Sequence, residues 1–308
     1  MKDIKLERVL VPVSLSGDGE DALKQAVFFK KKMNSKITLI HVTPPASNLK
    51  SLVETELNKR LQARAMIRLI RFAKLQFKGR IPDYVDLRVE IGQHVPTIIE
   101  VANKENYNLV IIRKNERIEG LVGKLKKHSA DKIVQEINCP VLSVKDRWTY
   151  RGVRNILVPV DIRQQSRDLL NWSIYLAKKL NTRVTLISVL NVNIELEKSL
   201  AFKKAKLLER SIRNEGITCE VKIFENTGED KIETILQYVK HEKADLVLAQ
   251  GAQDVLFGDS QSENFISRLL HDSIKPVLRL GTDRAVYLKN LLKVEIPIGL
   301  KSEETLID

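Results

Sequence analysis

Basic side chains that could hold a phosphate or another small anion are grouped after the fourth predicted strand. That strand is LVIIR, residues 109–113, and the segment after it contains Lys114, Arg117, Lys127 and His128. Lysine and arginine form charge-assisted hydrogen bonds with phosphate oxygens, so these four residues are a candidate anion clamp. A solvated charged loop on a basic domain is the simpler interpretation, and we favour it. Both interpretations stay open on the residues alone.

Asp161 is a second polar position with two interpretations. It follows the apolar run NILVPV at residues 155–160 and precedes a predicted helix. Ligands of open parallel sheets bind outside the carboxyl ends of the strands, which makes Asp161 a candidate ligand contact. A carboxylate in this place is equally suited to cap a helix or close a turn.

The segment SGDGEDA, residues 16–22, imitates a glycine-rich phosphate loop between a strand and a helix. Asp18, Glu20 and Asp21, however, put three carboxylates where a pyrophosphate would lie. The corresponding segment 162–168 has no glycine. Helix capping by acidic residues explains the segment better than phosphate binding does.

No local pattern indicates catalysis or a metal ion. The five histidines (41, 94, 128, 241 and 271) show no metal-ligand spacing, and Cys139 and Cys219 belong to no C-x-x-C motif. We therefore expect no metal site and no enzymatic activity, with weak ATP hydrolysis left open. Two buried free thiols in a reducing cytoplasm are the plain interpretation of the cysteines.

These candidate residues lie on a chain that repeats itself. Residues 8–42 resemble residues 154–189, and the match runs without a gap from Val9 to the end of the second strand, so Pro12 corresponds to Pro159. The match resumes at NYNLVII and KADLVLA, and again at CPVLSV and KPVLRL. A tandem repeat of this length predicts two copies of one small domain. We place them at 1–146 and 153–281, with a linker at 147–152 and a C-terminal extension at 282–308.

Each copy alternates apolar strands with amphipathic helices. In the first copy we predict strands at 9–13, 36–42, 83–89, 109–113 and 141–145 and helices between them, including one at 97–106. This alternation predicts an α/β fold in which each copy is a five-stranded, parallel, doubly wound sandwich.

The helix predicted at 59–78 carries Arg60, Arg64, Arg68, Arg71, Lys74 and Lys78 along one face, with apolar residues between them. Basic amphipathic helices can lie on anionic membranes or nucleic acid. The solvated outer face of a packed helix is the commoner case, and it is our interpretation here.

Composition and charge limit the class of protein. The chain has 308 residues, 43% hydrophobic and 30% charged, and a net charge of +13. Residues 1–150 contain 28 Lys and Arg against 17 Asp and Glu, so most of the positive charge belongs to the first copy. No apolar stretch reaches the ~20 residues of a membrane span. We expect a cytoplasmic protein with no membrane partner, and nucleic acid is an unlikely partner because no recognition motif accompanies the charge.

The ordered set of strand motifs resembles the universal stress protein family in its tandem form. The second copy has V-P-V-D at the first strand, T-L-I-x-V at the second, A-D-L-V at the fourth and K-P-V-L at the fifth. The first copy has the same order with Ser14 in place of Asp161, Y-N-L-V at the fourth strand and C-P-V-L at the fifth. The resemblance implies an adenine-nucleotide-alpha-hydrolase-like sandwich, usually dimeric through the last strand. The chain would then be an intramolecular pseudo-dimer, with 140–144 paired against 276–280.

Nucleotide-binding members of that family carry G-x2-G-x9-G-[ST] after the fourth strand, because glycines let backbone N–H groups close around phosphate oxygens. Counted back from Pro140, the first copy has Lys114, Arg117, Lys127 and His128 at these positions. Counted back from Pro276, the second copy has Gln250, Gln253, Glu263 and Asn264, with Gly251 one place away. Neither copy has a complete phosphate cradle.

The resemblance therefore implies a stress-response binding or regulatory protein that binds partners or small anionic ligands, does not hold ATP tightly and needs no cofactor. A vestigial adenylate site in the second copy is the first alternative, and it would use Pro159, Asp161, Val189, Gly251, Gln253 and Asn264. An anion- or nucleic-acid-associated protein acting through the basic first copy is the second alternative. Unidentified protein partners, a homodimer and a small anionic ligand all remain open.

Overall fold

The computed structural model describes residues 4–15, 20–46, 52–114, 132–145, 152–160, 167–190, 195–225, 231–241, 244–250 and 265–281. Most of the linker predicted at 147–152 and all of the C-terminal extension lie outside these residues.

The first copy contains five strands and the helices between them. They are β1 (Arg8–Pro12), α1 (Glu20–Met33), β2 (Lys36–Thr43), α2 (Leu52–Gln76), β3 (Val85–Ile91), α3 (His94–Lys104), β4 (Leu109–Lys114), a short helix α4 (132–136) and β5 (Val141–Lys145).

The second copy repeats this order. Its elements are β6 (Asn155–Pro159), α5 (Arg167–Leu180), β7 (Arg183–Leu190), α6 (Glu195–Asn214), β8 (Cys219–Glu225), α7 (Lys231–His241), β9 (Leu246–Gln250), α8 (Phe265–Asp272) and β10 (Val277–Leu280).

All ten strands join one sheet in the order β3-β2-β1-β4-β5-β10-β9-β6-β7-β8. Strands within a copy are parallel, and the two copies meet where β5 and β10 pair antiparallel, with Leu142 opposite Leu278. The predicted α/β fold and pseudo-dimer are therefore confirmed. Because each copy's last strand pairs with the other's, neither of these two strands is an exposed edge.

The sheet separates two layers of helices. Alternate residues along each strand point to opposite faces, so every central strand contributes to two cores. The core on one face contains buried side chains from α1, α2, α5 and α6, including Phe29 and Leu176. The core on the other face contains side chains from α3, α4, α7 and α8, including Ile98 and Phe265. Each core includes residues of both copies.

The repeat extends to the way helices end. Asn34 follows α1 with φ 57° and Asn181 follows α5 with φ 54°, and these two residues are repeat partners. A left-handed residue after a helix satisfies the last carbonyl groups, and asparagine tolerates this conformation better than most side chains.

Two predicted boundaries in the first copy were wrong by a few residues. The third strand covers 85–91 instead of 83–89, since Asp83 and Tyr84 form a turn. Helix α3 begins at His94 instead of 97 and therefore includes Pro96. Proline fits in the first helical turn because the N–H groups there have no partner within the helix.

Helix α2 is amphipathic, but its outer face is not purely polar. Ala65, Leu69 and Ala73 are buried against the sheet, while Ile67 and Leu75 are exposed. Among the helices that the structure describes, none is both long and apolar enough to cross a membrane.

Both cysteines are free thiols, as predicted, although only Cys219 is fully buried. Cys139 is half-buried because it lies in the turn that leads into β5. Burial raises the pKa of each thiol to about 12. Neither thiol is therefore a nucleophile at neutral pH.

Candidate functional site

In the first copy, the carboxyl ends of β1, β2 and β4 bring several polar residues to one edge of the sheet. His41 near the end of β2 has its Nδ1 atom 3.0 Å from the carbonyl oxygen of Val13, just after β1. Ser14, the counterpart of Asp161, is exposed at the same edge. This edge is where ligands of parallel α/β sheets bind.

Two histidines that show no spacing signal in the sequence come close together at this edge. His94 opens α3, directly after β3, and His41 lies near the end of the neighbouring strand β2. Burial lowers the pKa of His94 from its ordinary value, and the nearby His41 lowers it further. His94 is therefore neutral at pH 7 and presents a hydrogen-bonding ring instead of a fixed charge. The only sequence signal was that each histidine lies at a carboxyl strand end or the helix start beside it.

Lys114 is the described member of the candidate anion clamp. It is the last residue of β4, and its side chain is 8% exposed. It lies beside Lys145 in the register between β4 and β5. Arg117, Lys127 and His128 fall outside the described residues. A lysine is rarely buried to this extent, so Lys114 occupies space at the strand end that a glycine would leave open.

In the second copy, Pro159 and Val189 lie on the neighbouring strands β6 and β7. Pro159 pairs with Ile187 in the strand register, two residues before Val189. Both side chains are buried, Val189 at 3% exposure within the core under α7 and α8. Asp161, Gly251, Gln253 and Asn264 fall outside the described residues.

A repeated hydrogen-bonding device at the amino ends of the central strands fixes how the two copies correspond. The Asn108 side chain accepts hydrogen bonds from the backbone N–H groups of Glu7 and Arg8, at 3.2 and 3.0 Å. The Asp245 side chain accepts them from Arg154 and Asn155, at 2.9 and 3.1 Å.

Because Asn108 and Asp245 are structural counterparts, Gln250 corresponds to Arg113 and not to Lys114. Counting back from the prolines paired Lys114 with Gln250, and that pairing was wrong by one residue. The cause is that the chain from β4 to Pro140 is one residue longer than the chain from β9 to Pro276. By chain count, Gly251 is the residue that falls in the place of Lys114.

Two further residues near the boundary between the copies were missed by sequence reasoning. Arg279 on β10 is buried, and its Nη1 atom donates a hydrogen bond to the carbonyl oxygen of Ile137 in the first copy, at 2.8 Å. Gly281 follows β10 so closely against Asn138 that an added Cβ atom would overlap the carbonyl oxygen of that residue. Both residues hold the copies together and do not belong to the strand-end site.

The described part of the site offers hydrogen-bonding and positively charged groups but no assembled catalytic group. Within the residues that the structure describes, no three His, Cys, Asp or Glu side chains gather to hold a metal ion.

The family model for the universal stress protein family matches residues 5–145 and again residues 152–278. The chain belongs to the universal stress protein family. The two matches are the two copies of the repeat, so the protein is a tandem member of the family.

Solved structures support the same fold. A universal stress protein from Archaeoglobus fulgidus DSM 4304 is 17% identical, with a TM-score of 0.64 over 91% of this chain and 98% of that chain. A functionally unknown protein from Pseudomonas aeruginosa PAO1 is 18% identical, with a TM-score of 0.59 over 93% of this chain and 96% of that chain. At these identities the similarity shows the tandem fold alone. No curated protein matches the sequence.

Proposed function

We propose that this tandem universal stress protein is a stress-response binding protein that does not hold ATP tightly. The observation that supports this proposal is the buried side chain of Lys114 at the end of β4. Nucleotide-binding members of the family have glycine in the motif at that place, since the backbone must approach the phosphates closely. A long side chain packed there removes that approach.

The second copy supports the proposal more weakly. By chain count Gly251 falls in the place of Lys114, so the argument from Lys114 does not apply to the second copy. In the sequence that follows, Glu263 takes the place of a motif glycine, and its carboxylate would repel a phosphate. The remaining polar residues are suited to contacts with protein partners or small anions.

Calorimetric titration of ATP into protein stripped of ligand tests this proposal, with AMP and cyclic AMP as comparison ligands. We expect no heat of binding up to millimolar nucleotide. Micromolar binding of any of the three would contradict the proposal, and two matched variants would locate it. Loss of that binding in Asp161→Ala but not in Ser14→Ala would place the nucleotide in the second copy.

The second candidate function is an adenylate sensor that uses the second copy alone. The observation in its favour is that Gln250 at the end of β9 corresponds to Arg113, so that Gly251, the next residue in the sequence, is the counterpart of Lys114. Pro159 and Val189 lie on the neighbouring strands β6 and β7, which end at that edge. In this case Gly251→Lys, which copies the first domain, should abolish nucleotide binding, while Lys114→Gly should leave it unchanged.

The anion clamp remains a narrower proposal within the first copy. Lys114 supplies a positive group at the strand end, and Lys127 is the basic residue most easily removed without disturbing β4. We expect Lys127→Ala to weaken phosphate binding measured by calorimetry at low salt. Unchanged affinity would end this proposal and leave the basic segment as a solvated loop.

A further inference from the structure

Helix α2 exposes large apolar side chains that nothing in the described structure covers. Seven large hydrophobic residues are exposed among those described, and six of them lie on α2 and α6. Ile67 and Leu75 of α2 are 59% and 74% exposed. Single exposed apolar residues are common, but two on the outer face of one helix indicate a contact surface.

The same face of α2 is positively charged without compensation. Residues 57–82 contain eight Lys and Arg and no Asp or Glu. Six of these eight form no salt bridge with any described acidic residue: Arg64, Arg68, Arg71, Lys74, Lys78 and Arg80. Helix α6 differs, because Glu209 pairs with Lys206 at 2.8 Å and with Arg213 at 2.7 Å.

Among the described helices of the first copy, the excess of positive charge lies on one face of the sheet. Helices α1 and α2 together contain ten Lys and Arg against four Asp and Glu. On the opposite face of the sheet, α3 and α4 contain two of each. Among the described helices of this domain, those on the α2 side would therefore attract an anionic surface more strongly than those on the α3 side.

We propose that the α2 surface, formed by Arg64, Ile67, Arg71, Lys74 and Leu75, docks peripherally on an anionic lipid bilayer. Basic residues on such a helix pair with lipid phosphates, and the apolar residues between them enter the boundary of the acyl chains. The apolar face packed on the sheet stays buried, so docking needs no unfolding. This proposal replaces the sequence-based expectation of a solvated face and no membrane partner.

The shape of the surface favours lipid over other anionic partners. Ile67, Ile70 and Leu75 line a shallow open groove of about 500 Å³ together with basic residues of the same helix. A protein partner needs close shape complementarity, which a groove on one convex helix does not offer, whereas a fluid bilayer does not need it. Two copies of this surface would not pair with each other, because their like charges repel. Nucleic acid is disfavoured because no aromatic side chain lines the groove to stack on the bases.

Co-sedimentation of the full chain with lipid vesicles tests the proposal. We expect binding to vesicles of equal parts phosphatidylglycerol and phosphatidylcholine, and little binding to phosphatidylcholine alone. The double variant Arg64→Gln/Arg71→Gln should lower the partition coefficient roughly 20-fold. Ile67→Ser/Leu75→Ser should lower it roughly tenfold with the net charge unchanged. All four positions are exposed, and circular dichroism would verify that the variants are folded.

Two matched variants control for charge and for exposed apolar area. Lys31→Gln/Lys32→Gln removes the same charge from the end of α1, and Leu200→Ser/Leu207→Ser removes similar exposed area from α6. Both should reduce the partition coefficient less than the α2 variants do. The proposal is overturned if the protein does not bind anionic vesicles at low salt. It is also overturned if removing charge from α1 lowers the partition coefficient as much as removing it from α2. Binding to duplex DNA that survives Ile67→Ser/Leu75→Ser, without vesicle binding, would likewise overturn it.

Discussion

At the scale of single residues, the repeat lets the same position be compared in the two copies. Asn108 and Asp245 perform one task in the two copies, each accepting two backbone N–H groups at the start of a central strand. An amide oxygen and a carboxylate oxygen are therefore interchangeable acceptors in this geometry. The charge of Asp245 is not what the fold requires.

Asp245→Ala should destabilise the protein, and Asp245→Asn should not. Alanine leaves the N–H groups of Arg154 and Asn155 without an acceptor, at a cost of about 1–2 kcal/mol of unfolding free energy. Asparagine reproduces the arrangement of the first copy and should cost under about 0.5 kcal/mol. Urea denaturation measures both values. Equal destabilisation by the two variants would show that the carboxylate charge matters.

The two thiols should be inert in the folded protein. Their pKa values are raised to about 12, so the folded state holds the thiol protons up to that pH, whereas an unfolded cysteine loses its proton near pH 8.5. Iodoacetamide at pH 8 should alkylate Cys139 and Cys219 at least ~100-fold more slowly in native protein than in urea. Mass spectrometry of tryptic peptides measures the two rates.

The same shift predicts that stability falls as pH rises from about 8.5 towards 12, because the unfolded state binds fewer protons than the folded state in that range. Removing the thiol with Cys219→Ala should make this decline shallower. Rapid alkylation of either cysteine in the native protein would contradict the burial described here.

At the scale of elements, the junction between β5 and β10 depends on the absence of a side chain at Gly281. A Cβ atom there would overlap the backbone of Asn138, which cannot rotate away. Gly281→Ala should therefore lower the unfolding free energy by about 1–3 kcal/mol. Gly92→Ala is the matched control, since its added Cβ would meet only the Thr97 side chain. A thermal melt in which both variants lose equal stability would argue against a tight junction.

Much of the order of strands and helices could be predicted, because the same pattern of apolar runs occurs in both copies of the repeat. Apolar runs such as LVIIR are strands on any assignment, and the repeat removes ambiguity about which strands correspond. The antiparallel β5–β10 pair could be predicted only from the family resemblance, since neither strand carries a local signal for its partner.

The strand-end site was less predictable, for physical reasons that differ by residue. Burial of Lys114 follows from the position of β4 between β1 and β5, which is a property of the assembled sheet. The proximity of His41 and His94 joins residues 53 positions apart in the sequence. The one-residue error in pairing Lys114 with Gln250 arose because a length difference between two segments cannot be located by counting from one end.

At the scale of the whole molecule, the two copies form one folding unit. The core on each face contains residues of both copies, and Tyr175 of α5 reaches Met33 of α1 with its hydroxyl oxygen 3.6 Å from the sulfur atom. We expect scanning calorimetry to show a single cooperative transition. Two separate transitions would mean that the copies fold independently and that the junction is weak.

The central claim is that this tandem universal stress protein keeps the family fold without a tight ATP site. The most direct measurement is the nucleotide content of the protein as purified from cells, released by denaturation and quantified by ion-pair chromatography. We expect no stoichiometric adenine nucleotide in the extract. About one ATP or ADP for each chain, retained through a high-salt wash, would contradict it.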